Sequence, residues 1–109
     1  MGSSRYQFTN KAKEDLDMII NYISNNLCNP SAAKSFFEHL FDYLDNLCLF
    51  PESCPLVENE FIKRKDIRKS VIDNYILYYF YDKDDSIIFV LRIVYGKMSI
   101  NEILKTFNS

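Results

Sequence analysis

Arg5-Tyr6-Gln7-Phe8-Thr9 alternates polar and aromatic residues and reads as a short first strand. The period then lengthens. Ala12, Leu16, Ile19, Ile20, Ile23 and Leu27 recur at spacings of three and four, while Lys11, Lys13, Glu14, Asp15, Asp17 and Asn21 occupy the other faces. A helix of about five turns with one buried face is expected, opened by Thr9 or Asn10, whose side-chain oxygen suits an exposed first-turn amide. Asn29-Pro30 stops and restarts the chain, because Asn caps well and Pro loses nothing at a first helical position. Ala33, Phe36, Phe37, Leu40, Phe41, Leu44, Leu47 and Cys48 form the next apolar stripe, which Phe50-Pro51 ends. The short link after Leu27 predicts an antiparallel helix pair.

Residues 51–60 hold two prolines and little periodicity, and read as a loop crossing the surface. From Phe61 onward the pattern becomes strand-like: Ile67 to Ile72, Tyr75 to Tyr81 and Ile87 to Tyr95 are rich in β-branched and aromatic residues. Asp73-Asn74 and Asp82-Lys83-Asp84-Asp85 separate them at lengths that fit antiparallel hairpins, so a three-stranded meander is expected. Residues 97–108 carry Ile100, Ile103, Leu104 and Phe107 at helix-like spacing, compatible with a last short helix or strand.

The 109 residues suffice for one domain, assigned to 5–107, around a single core. Met1-Gly2-Ser3-Ser4 is polar and has no signal-peptide core, so residues 1–4 are set apart as a disordered N-terminus or cloning remnant. The aromatic share, 16% and all Phe or Tyr, loads the core with large rings whose phenols each need an outlet. A net charge of −2 provides no global field toward nucleic acid or anionic membrane. The longest apolar run, Ser86 to Tyr95, has strand length and contains Arg92, too short and too charged to span a bilayer. A cytoplasmic protein is expected. Cys28, Cys48 and Cys54 are odd in number and irregularly spaced, which fits reduced, buried or half-buried thiols better than disulfides or a metal site. His39, the only histidine, lacks a second ligand at zinc spacing and is expected on the helix surface.

Candidate chemistry concentrates in cations. Lys63, Arg64, Lys65, Arg68 and Lys69 place five of thirteen basic residues within seven positions. Such a cluster serves either as a charged strand edge that blocks aggregation or as a contact for a phosphate backbone or acidic partner. Arg92 stands mid-strand, where a two-residue period puts it beside Ile88, Val90 and Val94. A lone charge there requires an ion-pair partner, or lines a groove open to phosphate or carboxylate. Glu14, Asp15 and Asp17 lie in the first turns of a helix, where negative charge complements the dipole. No serine elbow, glycine-rich phosphate loop or paired-histidine helix is present, and no cofactor is implied.

Several phrases in order resemble the RelE/ParE superfamily of type II toxin–antitoxin toxins. They are Phe8-Thr9 with Ala12 and Asp15-Leu16; Tyr22-Ile23 with Asn29-Pro30 and Ala32-Ala33; Leu47 with Phe50-Pro51; Arg68-Lys69 with Val71 and Asn74-Tyr75; and Leu91-Arg92-Ile93 with Tyr95-Gly96. The resemblance covers about Tyr6 to Leu104 and implies an α+β fold: an N-terminal strand and an antiparallel helical hairpin packed on an antiparallel β-sheet. It also implies a cognate antitoxin, a toxin–antitoxin hetero-oligomer, growth inhibition and a plasmid-stabilisation role.

Within that superfamily, RelE-like members cut mRNA in the ribosomal A site and ParE-like members inhibit DNA gyrase. RelE-type cleavage uses sheet cations to activate the 2′-hydroxyl and stabilise the transition state. Alignment by resemblance puts Ile76, Met98 and Leu104 where that class carries two arginines and a C-terminal tyrosine, leaving Lys69 and neighbouring bases as stand-ins. The chain therefore resembles ParE-like members more closely, with gyrase as the expected target. The alternatives are a ribosome-dependent mRNA interferase and a non-toxic binding module. The expected target- or antitoxin-binding residues are Lys69, Arg68, Arg92, Lys97, Lys65, Arg64 and Lys63.

Overall fold

The computed structural model describes residues 4–58 and 65–97. In chain order its elements are β1 (Arg5–Phe8), α1 (Asn10–Asn21), a π-helical turn (Tyr22–Asn26), α2 (Pro30–Leu47), β2 (Ile67–Ile72), β3 (Tyr75–Asp82) and β4 (Ile87–Tyr95). Two helices pack on a four-stranded sheet of order β1-β4-β3-β2. The architecture is the α+β one expected.

Thr9 opens α1: its Oγ1 accepts from the Ala12 amide at 3.1 Å and donates to the Leu91 carbonyl at 3.1 Å, so one side chain caps the helix and ties it to β4. Asn29 caps α2 through its Oδ1 and the Ala32 amide, with Pro30 at the first helical position. Between them the first helix does not run on as a regular α-helix to Leu27. Its last turn widens, with the Leu27 amide donating to the Tyr22 carbonyl five residues back. The wider turn shifts the following side chains around the axis, so Leu27 stands 56% exposed instead of continuing the buried stripe. Cys28 then takes a left-handed φ of 50° and is exposed, contrary to the expectation that all three thiols are at least half-buried.

On α2, Ala33, Phe36, Leu40, Leu44 and Leu47 face the sheet. Leu40 and Leu44 are fully buried, and each contributes roughly 2 kcal/mol by removal of apolar area from water. Phe37, expected in the same stripe, is largely exposed and packs against Phe41.

The meander forms as expected, β3 pairing antiparallel with both β2 and β4. β1 adds on the other side of β4 in parallel, from Arg5↔Ile87 to Phe8↔Val90, which makes the sheet mixed. Ile72, Leu77, Tyr79, Ile88, Val90 and Ile93 join the helix-side core. The opposite face carries Ile67, Tyr78 and Val94 with Val57, and Ile76 and Leu91 beside them. Ser4, set apart with the first residues in the sequence reading, is held by a bond from its amide to the Cys48 carbonyl and one from its hydroxyl to Tyr81. The expected C-terminal helix or strand lies outside the described residues.

Candidate functional site

The strict alternation expected of β4 breaks at its centre. Pairing with β3 steps from Tyr79↔Val90 to Tyr78↔Arg92, which leaves Leu91 as an extra residue, a β-bulge. Val90 and Ile93 consequently both reach the helix side, while Leu91 and Val94 take the other. Arg92 does not share one face with Ile88, Val90 and Val94.

Arg92 instead meets α1. Its Nε lies 2.7 Å from Asp15 Oδ2 and its Nη2 3.1 Å from Asp15 Oδ1, a two-point ion pair with side-chain exposures of 11% and 6%. Asp15 Oδ2 also accepts the Ile93 amide at 3.1 Å. Beyond Phe8, where β1 ends, this carboxylate occupies the place of a neighbouring strand. Asp15 was read from sequence as a helix-end charge beside Glu14 and Asp17. Those two are exposed; Asp15 is buried. The signal was its spacing, three after Ala12 and four before Ile19, which puts it on the apolar stripe of α1.

Arg68 is similarly engaged. On the helix side of β2 its Nη1 donates to the carbonyls of Cys54 at 2.6 Å and Glu52 at 3.1 Å, and its Nη2 lies 3.5 Å from the Glu52 carboxylate. It clamps the loop after α2 against the sheet, aided by Val57 N–H to Ile67 and Lys69 N–H to Pro55. Under the clamp, Tyr43 bonds both Cys54 and Ser70, and Tyr79 donates to the Pro51 carbonyl. Burial pushes the Cys54 thiol up, but hydrogen bonds from Tyr43, Tyr79, Ser70 and Ser53 outweigh it and hold the thiol below its ordinary value.

Among the described residues the expected cations do not form one patch. Lys69 alternates with Arg68 onto the opposite sheet face, opposite Tyr78 in register and half-buried. Lys65 is exposed ahead of β2, and Lys97 is exposed beyond β4. Lys63 and Arg64 lie outside the described residues, as do Met98 and Leu104. Ile76, aligned with a catalytic arginine by resemblance, packs beside Val57, Ile67, Tyr78 and Val94.

Asp15 and Arg92 also floor a groove of about 570 Å³ between α1 and the end of β4, whose walls include Met18, Tyr22, Leu27, Tyr75 and Tyr95. Met18 is 67% exposed there. Among the described residues no group of three or more His, Cys, Asp or Glu could hold a metal, and no helix is long and apolar enough to cross a membrane. His39 is exposed as expected, 3.3 Å from Asp73.

Residues 6–100 match the family described as the ParE toxin of type II toxin–antitoxin system, parDE. No curated protein matches the chain. Among solved structures, it is similar to a chain of the chromosomal ParDE toxin–antitoxin system from P. aeruginosa, with TM-score 0.67 and 18% identity over 87% of this chain and 97% of that one. A chain of the toxin–antitoxin complex RelBE2 from Mycobacterium tuberculosis matches with TM-score 0.62 and 16% identity, over 86% of this chain and 99% of that one. A chain of the archaeal RelE–RelB complex from Pyrococcus horikoshii OT3 matches with TM-score 0.59 and 15% identity, over 90% and 100%. These likenesses establish the shared fold.

Proposed function

Since the chain belongs to the ParE toxin family of type II toxin–antitoxin systems, we propose that it is held silent in a hetero-oligomer by a cognate antitoxin and, once released, inhibits growth through DNA gyrase in the cytoplasm. The similar ParDE and RelBE chains come from toxin–antitoxin systems, two of them solved as complexes, which supports an antitoxin here. A plasmid-stabilisation role accords with such a pair.

The observation that favours gyrase over mRNA is the commitment of the arginines on β2 and β4. Arg92 is spent on Asp15, and Arg68 on Glu52 and two carbonyls. Cleavage of RNA by its own 2′-hydroxyl, which displaces the 5′-oxygen from the scissile phosphate, needs cations free to meet that phosphate and to move protons. Arginines locked by internal acceptors do not supply them. Lys69, beside Tyr78 on the face away from the helices, is the best-placed cation for target contact, with Lys97 and Lys65 next.

The purified protein should block gyrase supercoiling or trap a cleaved-DNA complex while leaving ribosome-bound mRNA intact. Cleavage of A-site mRNA in a reconstituted translation reaction overturns the gyrase assignment in favour of the RelE-like one. Harmless expression, with no binding of the product of a short adjacent gene, removes the toxin reading altogether.

A further inference from the structure

We propose that β1 pairs antiparallel with β1 of a second copy of this chain, about a two-fold axis at Gln7, joining two four-stranded sheets into one of eight. The two outer strands of the sheet are β1 and β2. The loop after α2 covers β2, where the Val57 amide donates to the Ile67 carbonyl and the Lys69 amide to the Pro55 carbonyl. Among the described residues β1 has no such cover. The Arg5 and Thr9 amides donate toward β4, to Ser86 and Val90, and the Ser4 amide points the other way, to Cys48. By the two-residue period, the N–H and C=O of Tyr6 and of Phe8 also face away from β4. Among the described residues nothing bonds them.

An open edge is a template for another strand unless proline, lysine or a covering segment blocks it. Arg5–Phe8 holds neither proline nor lysine. The occupant is a second copy because this edge complements itself. Antiparallel pairing centred on Gln7 sets Tyr6 opposite the partner's Phe8 and Phe8 opposite the partner's Tyr6, so that four hydrogen bonds use every outward group of both strands. On the helix side, Phe41 touches Tyr6 and Phe8 with ring centroids 6.0 and 5.8 Å away, which puts it level with Gln7 and so across the axis from the partner's Phe41. Six rings then close over the joint, as aromatic cross-strand pairs favour. The groove beside β1, about 390 Å³, is rimmed by Lys13 and Asp17. These charges cancel, so the groove favours neither an acidic nor a basic segment, and a second copy brings the same cancelled pair. A four-residue strand and three rings per copy fall short of the roughly 800 Å² per partner of a standard interface, so the dimer is weak and concentration governs it.

Sedimentation equilibrium of the full chain from about 10 μM to about 1 mM, a range that brackets weak association, tests the proposal. The mass should climb toward that of a dimer, and the Tyr6 and Phe8 amides should exchange more slowly as concentration rises. Gln7 is exposed and would stand opposite itself across the axis. Gln7→Glu and Gln7→Lys should therefore each raise the dissociation constant by about tenfold or more through like-charge repulsion. Mixed in equal amounts, the two variants should associate at least as well as the parent, a rescue that requires position 7 of one copy to face position 7 of the other. Circular dichroism and melting of each variant in dilute solution should match the parent's, because the side chain is exposed. A chain that stays monomeric at about 1 mM overturns the proposal. Protection of the Tyr6 and Phe8 amides in the dilute monomer overturns it too, since the chain would then cover its own edge. A dimer indifferent to both Gln7 variants but lost in Val71→Lys, on the exposed part of β2, also overturns it. So does protection of these amides by an antitoxin without self-association, which would give the edge to that partner instead.

Discussion

Asp15 and Arg92, 77 positions apart, form a buried two-point ion pair that joins the first helix to the last described strand. The same carboxylate also takes the Ile93 amide, so three donors converge on it.

Removing Asp15 leaves an arginine without its counter-charge in a site it cannot easily leave. Asp15→Ala should therefore cost about 3–5 kcal/mol in urea unfolding. Replacing both partners, as Asp15→Leu with Arg92→Met, should cost less than Asp15→Ala alone, because no charge is then stranded. An unchanged unfolding midpoint for Asp15→Ala would show that the pair does not hold α1 to β4.

Arg68 and Lys69 are sequence neighbours with different work. Arg68→Gln should lower stability by about 1–3 kcal/mol, since it frees the Cys54 and Glu52 carbonyls. Lys69→Gln should change stability by no more than about 0.5 kcal/mol. If Lys69 meets the target, its variant loses toxicity in a growth assay with its melting curve intact. Full toxicity in that variant would take Lys69 out of the contact surface.

Alkaline pH should unfold the protein. Burial raises the phenol pKa of Tyr6, Tyr43, Tyr75, Tyr78 and Tyr79 above the ordinary 10.0, most strongly for Tyr79. The folded chain thus holds these protons more tightly than the unfolded one. Their contribution is complete below pH 10 and falls as pH rises beyond it. Tyrosinate absorbance should show Tyr79 ionising together with loss of the helix signal; a Tyr79 titration that precedes unfolding would contradict its burial.

The three thiols should separate by reactivity. Cys28 is exposed, while Cys48 and Cys54 are buried and Cys48 is further protected because burial and Asp45 raise its pKa. A brief treatment with iodoacetamide at neutral pH should modify Cys28 alone by peptide mass. Equal labelling of all three would place the buried pair at the surface.

Local pattern determined most of the framework. The limits of β2 and β4 follow from runs of β-branched and aromatic residues, and the second helix from Asn29-Pro30 and its apolar stripe, because propensity, capping and period act over a few residues. The need for a partner to Arg92 was also legible, since a lone guanidinium in an apolar strand cannot be left unpaired. Which partner it takes was not. That choice depends on β1 lying parallel beside β4, on the bulge at Leu91 that breaks the alternation, and on Asp15 facing inward. Likewise Arg68 and Lys69 look like one patch along the chain, but the pleat sends them to opposite faces and a loop sixteen residues back captures one of them. Sequence period assigns a side chain to a face; only the packed neighbours on that face decide whether its charge is neutralised within the fold or left for another molecule.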